Sequence, residues 1–235
     1  MTDLQMTWLG HAGVLYRAGE TWTWIDRWTG APTYPDAYRS VERADVVAPT
    51  HGHFDHVGND CSDVVELAAS GSPTVVCSHE MSIYLASRGV EAIGMNKGGT
   101  VEAAGVRLTM LRADHSGGVT LTGGGAEVTR DVGAWGWILG FPDGPTVYHS
   151  GDTDLFGDMA LVRERFAPDI AVLPIGGHYT MGPRDAARAA ELLGVEKILP
   201  VHYGTFPVLV GTPEELRRHT DIEVLSVEPG GTVGA

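Results

Sequence analysis

Short apolar runs separated by glycine dominate the start of the chain. Residues 6–9, 14–16 and 21–25 are rich in aromatic and branched side chains, too short for helices and divided by turn residues, which predicts antiparallel strands in a meander. A buried strand is predicted at 46–48, ending at Pro49. Residues 61–69 and 80–88 read as helices on either side of a strand at 74–77. Further strands are predicted at 106–111, 135–139, 146–149, 170–173 and 197–201, and helices at 161–166, 183–193 and 213–219. Pro183 and Pro213 suit the first turn of the last two helices. Strands towards both ends with helices interleaved predict α/β layers containing at least one mixed sheet. The segment 116–132 is glycine-rich, has little apolar periodicity and directly follows His115, so it is read as a rim or lid loop.

Length and charge narrow the class. A chain of 235 residues fits one domain over 1–235 with a sizeable core. Sixteen basic residues against thirty acidic ones give a formal net charge of −14, a field that repels nucleic acid and anionic membranes, so neither is expected as a partner. No apolar run approaches the roughly 20 residues of a membrane span, and the first ten residues lack the basic-then-apolar layout of a signal peptide. Cys61 and Cys77 form no CxxC pair and are expected to be reduced thiols of a cytoplasmic protein.

The chemistry concentrates behind the predicted strand at 46–48. THGHFDH places His51, His53 and His56 beside Asp55 within six residues. With 10 histidines in the chain, chance would produce that pattern on the order of once in a thousand such sequences. Neutral imidazole mixed with carboxylate suits zinc, manganese or iron rather than magnesium or calcium. Residues so close on one turn cannot all face a single ion at tetrahedral angles, so two ions are expected, and these need further ligands at other strand ends. Candidates follow three predicted strands: Asp114-His115, Asp152 in SGDT, and His202 in PVHY.

Taken in order, TWLGHAG, HGHFDH, ADHSG, HSGDTD, GGHYTMGP and VHYGTFP resemble the metallo-β-lactamase superfamily, specifically its small metal-dependent hydrolase branch related to the ascorbate-6-phosphate lactonases. The resemblance spans residues 6–208. It implies a four-layer αββα sandwich of two mixed β-sheets flanked by helices, with two divalent transition-metal ions, zinc foremost and manganese as the alternative. By the same resemblance His51, His53 and His115 hold the first ion, Asp55, His56 and His202 the second, and Asp152 bridges them. The implied reaction is hydrolysis of a small-molecule ester, most concretely a lactone, by a hydroxide shared between the ions; phosphodiester or phosphoryl hydrolysis is the alternative. Relatives that destroy β-lactams carry a cysteine ligand where Asp152 stands, and the diiron oxygen-reducing branch carries a glutamate at the place of His53, so neither activity is expected. A homo-oligomer is compatible with this reading.

Other residues receive weaker assignments. Asp55 is expected to orient the hydroxide or take its proton, and His178, in GGHYTMGP, to act on substrate as an acid without binding metal. His11 and Asp26 are read as residues that hold ligands in place, and His149 as structural. Asp114 and Asp154 either hold imidazoles in one tautomer or are solvated, and His79 and His219 are surface or capping residues. Trp135, Trp137, Phe141 and Tyr148 are read as core. Tyr179, Met181, Tyr203 and Phe206 could wall a substrate site, and Arg112 and Arg130 could hold a phosphate.

Overall fold

A computed structural model describes residues 3–120 and 133–235. In chain order the strands are β1 (Leu4–Trp8), β2 (Val14–Ala18), β3 (Thr21–Ile25), β4 (Val46–Val47), β5 (Thr74–Ser78), β6 (Ala92–Met95), β7 (Thr100–Ala103), β8 (Val106–Arg112), β9 (Trp135–Gly140), β10 (Thr146–His149), β11 (Ile170–Pro174), β12 (Lys197–Val201), β13 (Glu223–Val224) and β14 (Thr232–Gly234). The α-helices are α1 (Phe54–Val57), α2 (Ser62–Ala69), α3 (His79–Ser87), α4 (Met159–Phe166), α5 (Pro183–Leu193) and α6 (Pro213–Leu216). They build two seven-stranded mixed sheets, ordered β14-β1-β2-β3-β4-β5-β6 and β13-β12-β11-β10-β9-β8-β7.

Alternation along the strands explains the layering. In β11, Ile170 and Val172 join the core between the sheets, while Ala171 and Leu173 join a second core with α4 and α5. Trp135, Trp137 and Leu139 of β9 likewise face the first sheet, and Ile138 faces the helices. On the other side, α2 and α3 cover the first sheet with Val64, Leu67, Met81 and Leu85. Both faces of each sheet are therefore buried, which is the reason its central strands read as continuous apolar runs. The result is the expected αββα sandwich.

The meander at β1–β3 is antiparallel, as its spacing predicts. Four strands lacked a usable local signal: β6, β7, β13 and β14. Strand β14 exists because Val233 pairs with Met6 across the whole length of the chain. The turn α1, inside the histidine motif, was not anticipated either. Cys61 and Cys77 are both free and buried, and burial pushes each thiol up to about 12. Among the described residues no helix is long and apolar enough to cross a membrane. Of the loop expected at 116–132, residues 121–132 lie outside the described residues.

Strand direction places the chemistry. β1, β3 and β4 run the same way in the first sheet. β8, β10, β11 and β12 share one direction in the second. Beyond their carboxyl ends lie His11, Asp26, His51, His115, Asp152 and His202, which meet at one edge of the sandwich.

Candidate metal centre

The backbone turns sharply at several of these strand ends. Gly151 adopts φ +61, and a Cβ there would approach Thr50 Cβ to 2.7 Å and the Trp135 carbonyl oxygen to 2.9 Å, so only glycine lets the chain swing Asp152 inward. A Cβ on Gly10, at φ +97, would likewise come within 2.6 Å of the Thr33 carbonyl oxygen, just before the chain reaches His11. Asp26 (φ 49) and His202 (φ 55) hold left-handed conformations without being glycine. Such strain, of order 1–3 kcal/mol each, persists only where the surroundings over-determine it. In the motif itself, extended His53 precedes the single turn α1, which carries Asp55 and His56.

The seven predicted ligands come together. Potential ligand atoms of His51, His53 and His115 all lie within 4.8 Å of one another, as do those of His11, Asp55, His56 and His202, and those of His51, His56 and Asp152. Asp152 Oδ2 reaches both halves, at 3.1 Å from His202 Nε2, 3.3 Å from His56 Nε2 and 3.6 Å from His115 Nε2. His51 Nε2 and His53 Nδ1 are 2.9 Å apart. Two nitrogens bound tetrahedrally to one zinc stand about 3.3 Å apart, so these separations straddle the value a shared ion requires. His56 Nε2, both ring nitrogens of His202 and Asp152 Oδ1 are buried without a hydrogen-bond partner. Buried polar atoms left unsatisfied cost about 1–3 kcal/mol each, and a cation among them removes that cost for the atoms facing it. The donor set fits divalent transition metals.

Partners behind the cluster set ring orientation. Asp26 Oδ2 is 2.9 Å from His56 Nδ1 and accepts from Thr50 Oγ1 at 2.6 Å, while Oδ1 accepts the Thr50 amide at 2.8 Å. Thr50 Oγ1 lies 3.1 Å from His51 Nδ1. His11 Nε2 meets Asp55 Oδ2 at 3.2 Å, and its Nδ1 meets Thr205 Oγ1 at 2.7 Å. Asp26 and His11 thus take the supporting places expected of them; Thr50 and Thr205 were not foreseen, because a threonine beside a ligand carries no sequence signal of its own.

The charge pattern is divided. Burial holds His51, His53 and His115 below the ordinary imidazole range, with the positive tendency of His56 adding to it, which leaves three neutral rings ready to donate lone pairs. Burial also lowers His11 to about 4. For His56 burial works in the same sense but is outweighed by Asp152 and Asp26, and the ring is raised well above its usual value. Asp152 is held well below the carboxylate range, and Asp55 at about 2, since neighbouring histidines overcome the upward push of burial. The space between these carboxylates favours positive charge, which a metal ion would supply.

A cavity of about 510 Å³ opens over the cluster, lined by His53, Phe54, Asp55, His115, Ser116, Thr120, Asp152, Tyr179, His202 and Phe206. Trp28 backs this wall, edge-on to Phe54 at 5.6 Å and tilted against Phe206 at 5.9 Å. His178, expected to act on substrate, has a left-handed backbone (φ 60) and is exposed, and it is not among the residues that line the cavity. Its neighbour Tyr179, edge-on to it at 4.4 Å, lines the cavity instead. Met181 is buried in the helix-side core, and Tyr203 stacks on Trp8 at 4.8 Å.

The remaining assignments resolve simply. Buried His149 has its Nδ1 2.7 Å from Tyr16 Oη, a structural contact. Trp135, Trp137, Phe141 and Tyr148 are core residues. Asp114 pairs with Arg112 at 3.1 Å, and Asp154 Oδ1 accepts the Leu155 amide at 2.7 Å, so neither is seen holding an imidazole. Ser78, not His79, caps α3. His219 is exposed beyond α6, and Arg130 lies outside the described residues.

Comparison with known proteins gives a consistent answer. The family model described as "Beta-lactamase superfamily domain" matches residues 21–203. A UPF0173 metal-dependent hydrolase of Koribacter versatilis is 46% identical over 237 residues, covering 99% of this chain and 98% of that protein. Among solved structures, a metallo hydrolase from the hyperthermophilic archaeon Ignicoccus hospitalis superposes with a TM-score of 0.83 at 32% identity, covering 100% of this chain and 99% of that one. A metallo-β-lactamase fold protein of Bacillus subtilis aligns over the full length of both chains with a TM-score of 0.74 at 16% identity, a likeness of fold alone.

Proposed function

Because the chain belongs to the β-lactamase superfamily, as a metal-dependent hydrolase of the metallo-β-lactamase fold, we propose that it cleaves a small uncharged ester, most concretely a lactone, at a centre of two divalent transition-metal ions. His51, His53 and His115 would hold one ion, Asp55, His56 and His202 the other, with Asp152 between them. The imidazole-rich set favours zinc, with manganese the alternative. When bound, the pair supplies a water that ionises near neutral pH and a Lewis acid for the carbonyl under attack.

The protein's own part is orientation and exclusion of water. Asp55, fixed by His11 and held at about 2, stays ionised and is a poor proton acceptor, so it orients the attacking water by accepting a hydrogen bond from it. Phe54, Phe206 and Tyr179 present apolar surface to the body of the substrate. The observation that carries the choice of substrate is the lining itself: aromatic walls, and neither lysine nor arginine among the described lining residues to neutralise a phosphate. Arg112 is engaged by Asp114 and Asp158 and lies over the Phe156 ring.

Metal-reconstituted protein assayed against lactones, phosphodiesters and thioesters is expected to show its highest kcat/KM on a lactone. A margin of tenfold or more for phosphodiesters, about 1.4 kcal/mol of transition-state preference, would replace the lactone reading with the phosphodiesterase one.

Two rim variants divide the roles of neighbouring residues. Tyr179→Ala, which removes a ring from the cavity wall, is expected to raise KM up to about tenfold with both metals retained, the scale of losing one aromatic contact to a bound substrate. His178→Ala is expected to change kcat/KM by less than about tenfold. A fall in kcat of roughly a hundredfold, the usual scale of general acid–base help, would restore His178 as the acid.

A further inference from the structure

His11 connects the two arms of the second ligand group, and its contacts are more specific than packing demands. Its ring lies between a carboxylate and a hydroxyl, 3.2 Å from Asp55 Oδ2 through Nε2 and 2.7 Å from Thr205 Oγ1 through Nδ1. A carboxylate only accepts, so Nε2 carries the proton, and Nδ1 must then accept from the Thr205 hydroxyl. The tautomer is fixed by the two partners together. The main chain of the same residue does a second job. The His11 carbonyl accepts the His202 amide at 2.9 Å and the Trp8 indole N–H at 2.7 Å. That amide belongs to a residue in the left-handed conformation, where the chain needs an external tie to stay put. His11 itself is buried, and its ring centroid is 4.1 Å from that of His202.

From these contacts we propose that His11 is a positioning residue for the second metal: its ring aims Asp55, its carbonyl fixes His202, and Thr205 locks the ring. The assignment rests on the two-metal reading given above. Asp55 arrives from α1 and His202 from the end of β12, elements with no direct backbone pairing, so their spacing depends on a third party. The turn after β1 is that party. With both nitrogens already engaged, the ring has no lone pair left to offer an ion.

The test is a zinc titration of metal-free wild-type, His11→Ala, His11→Gln and Thr205→Val protein against a competing chromophoric chelator, together with visible spectra of the cobalt-loaded forms. Wild type is expected to take up two ions. His11→Ala should bind the first as wild type does and the second about ten- to a hundredfold more weakly, the scale for losing an outer partner of a metal ligand. Thr205→Val should weaken the second ion several-fold. A glutamine side chain places an N–H near the position of Nε2, so His11→Gln should recover most of the loss with a wild-type cobalt spectrum. Wild-type affinity for the second ion in both His11→Ala and Thr205→Val overturns the assignment. If His11→Ala does not fold, unchanged affinity in Thr205→Val is sufficient to overturn it. A glutamine variant as weak as alanine, with an altered cobalt spectrum, would make His11 a ligand and overturn it too. A wild-type titration that stops at one ion instead overturns the two-metal reading, a result distinct from any shown by the variants.

Discussion

Asp152→Ala is expected to lower kcat/KM by roughly a thousandfold or more, about 4 kcal/mol of transition-state stabilisation, and to leave at most one tightly bound ion per chain. The reason is geometric. One oxygen of Asp152 lies within 3.6 Å of ring nitrogens from His56, His115 and His202, which come from three separate segments. No other carboxylate among the described residues touches both ligand groups. Removing it also removes the negative charge that lets two cations approach each other in a buried space. Without metal, the variant leaves His56, a ring raised well above its usual range, with Asp26 alone as a counter-charge in contact. Breaking a buried pair of that kind costs about 3–5 kcal/mol, so the metal-free variant should also melt earlier than metal-free wild type. Elemental analysis after metal saturation, read beside the kinetics, checks both halves. Two ions and wild-type rates in Asp152→Ala would remove the residue from the centre.

Asp26 gives the second large effect, and here the conservative replacement is the more informative one. Asp26→Ala strips partners from the Thr50 amide, the Thr50 hydroxyl and His56 Nδ1, all buried, at an expected cost of about 3–5 kcal/mol. For a chain of this size that lowers Tm by roughly 10 °C. Asp26→Asn keeps the shape and loses far less stability. Its amide can accept from the Thr50 N–H, but an NH₂ group then faces His56 Nδ1. That nitrogen must become the acceptor, and the proton moves to Nε2, the atom that should face the metal. Asp26→Asn is therefore expected to fold normally and to bind the second ion about ten- to a hundredfold more weakly. Equal metal affinity in the two proteins would show that Asp26 supports the fold without setting the His56 tautomer.

Much of the molecule was legible from local pattern. Branched and aromatic runs broken by glycine marked the strands of both sheets, and the proline-led helices α5 and α6 began where Pro183 and Pro213 placed them. The seven proposed ligands could be named from the sequence, three histidines and an aspartate crowded behind one strand pointing to donors at other strand ends and the family resemblance implying the set. The folded chain brings their side chains together. Boundaries shifted where tertiary partners decided them. β13 and β14 are too short to have a pattern, and each exists because a neighbouring strand offers it hydrogen bonds.

His178 shows the limit most clearly. Its sequence neighbourhood placed it near the metals, yet it is the next residue, Tyr179, that lines the cavity, while His178 is exposed. The supporting residues are hidden for a related reason. Asp26 and His56 are 30 positions apart, and His11 and Thr205 are 194 apart. Sequence determined the donor chemistry and the strand ends that deliver it, because both follow from residue type and local periodicity. Only the folded chain decided which carboxylate reaches both groups of candidate ligands, which side chains lie behind each imidazole, and which rings line the cavity. Those depend on angles and distances between segments that no local pattern encodes.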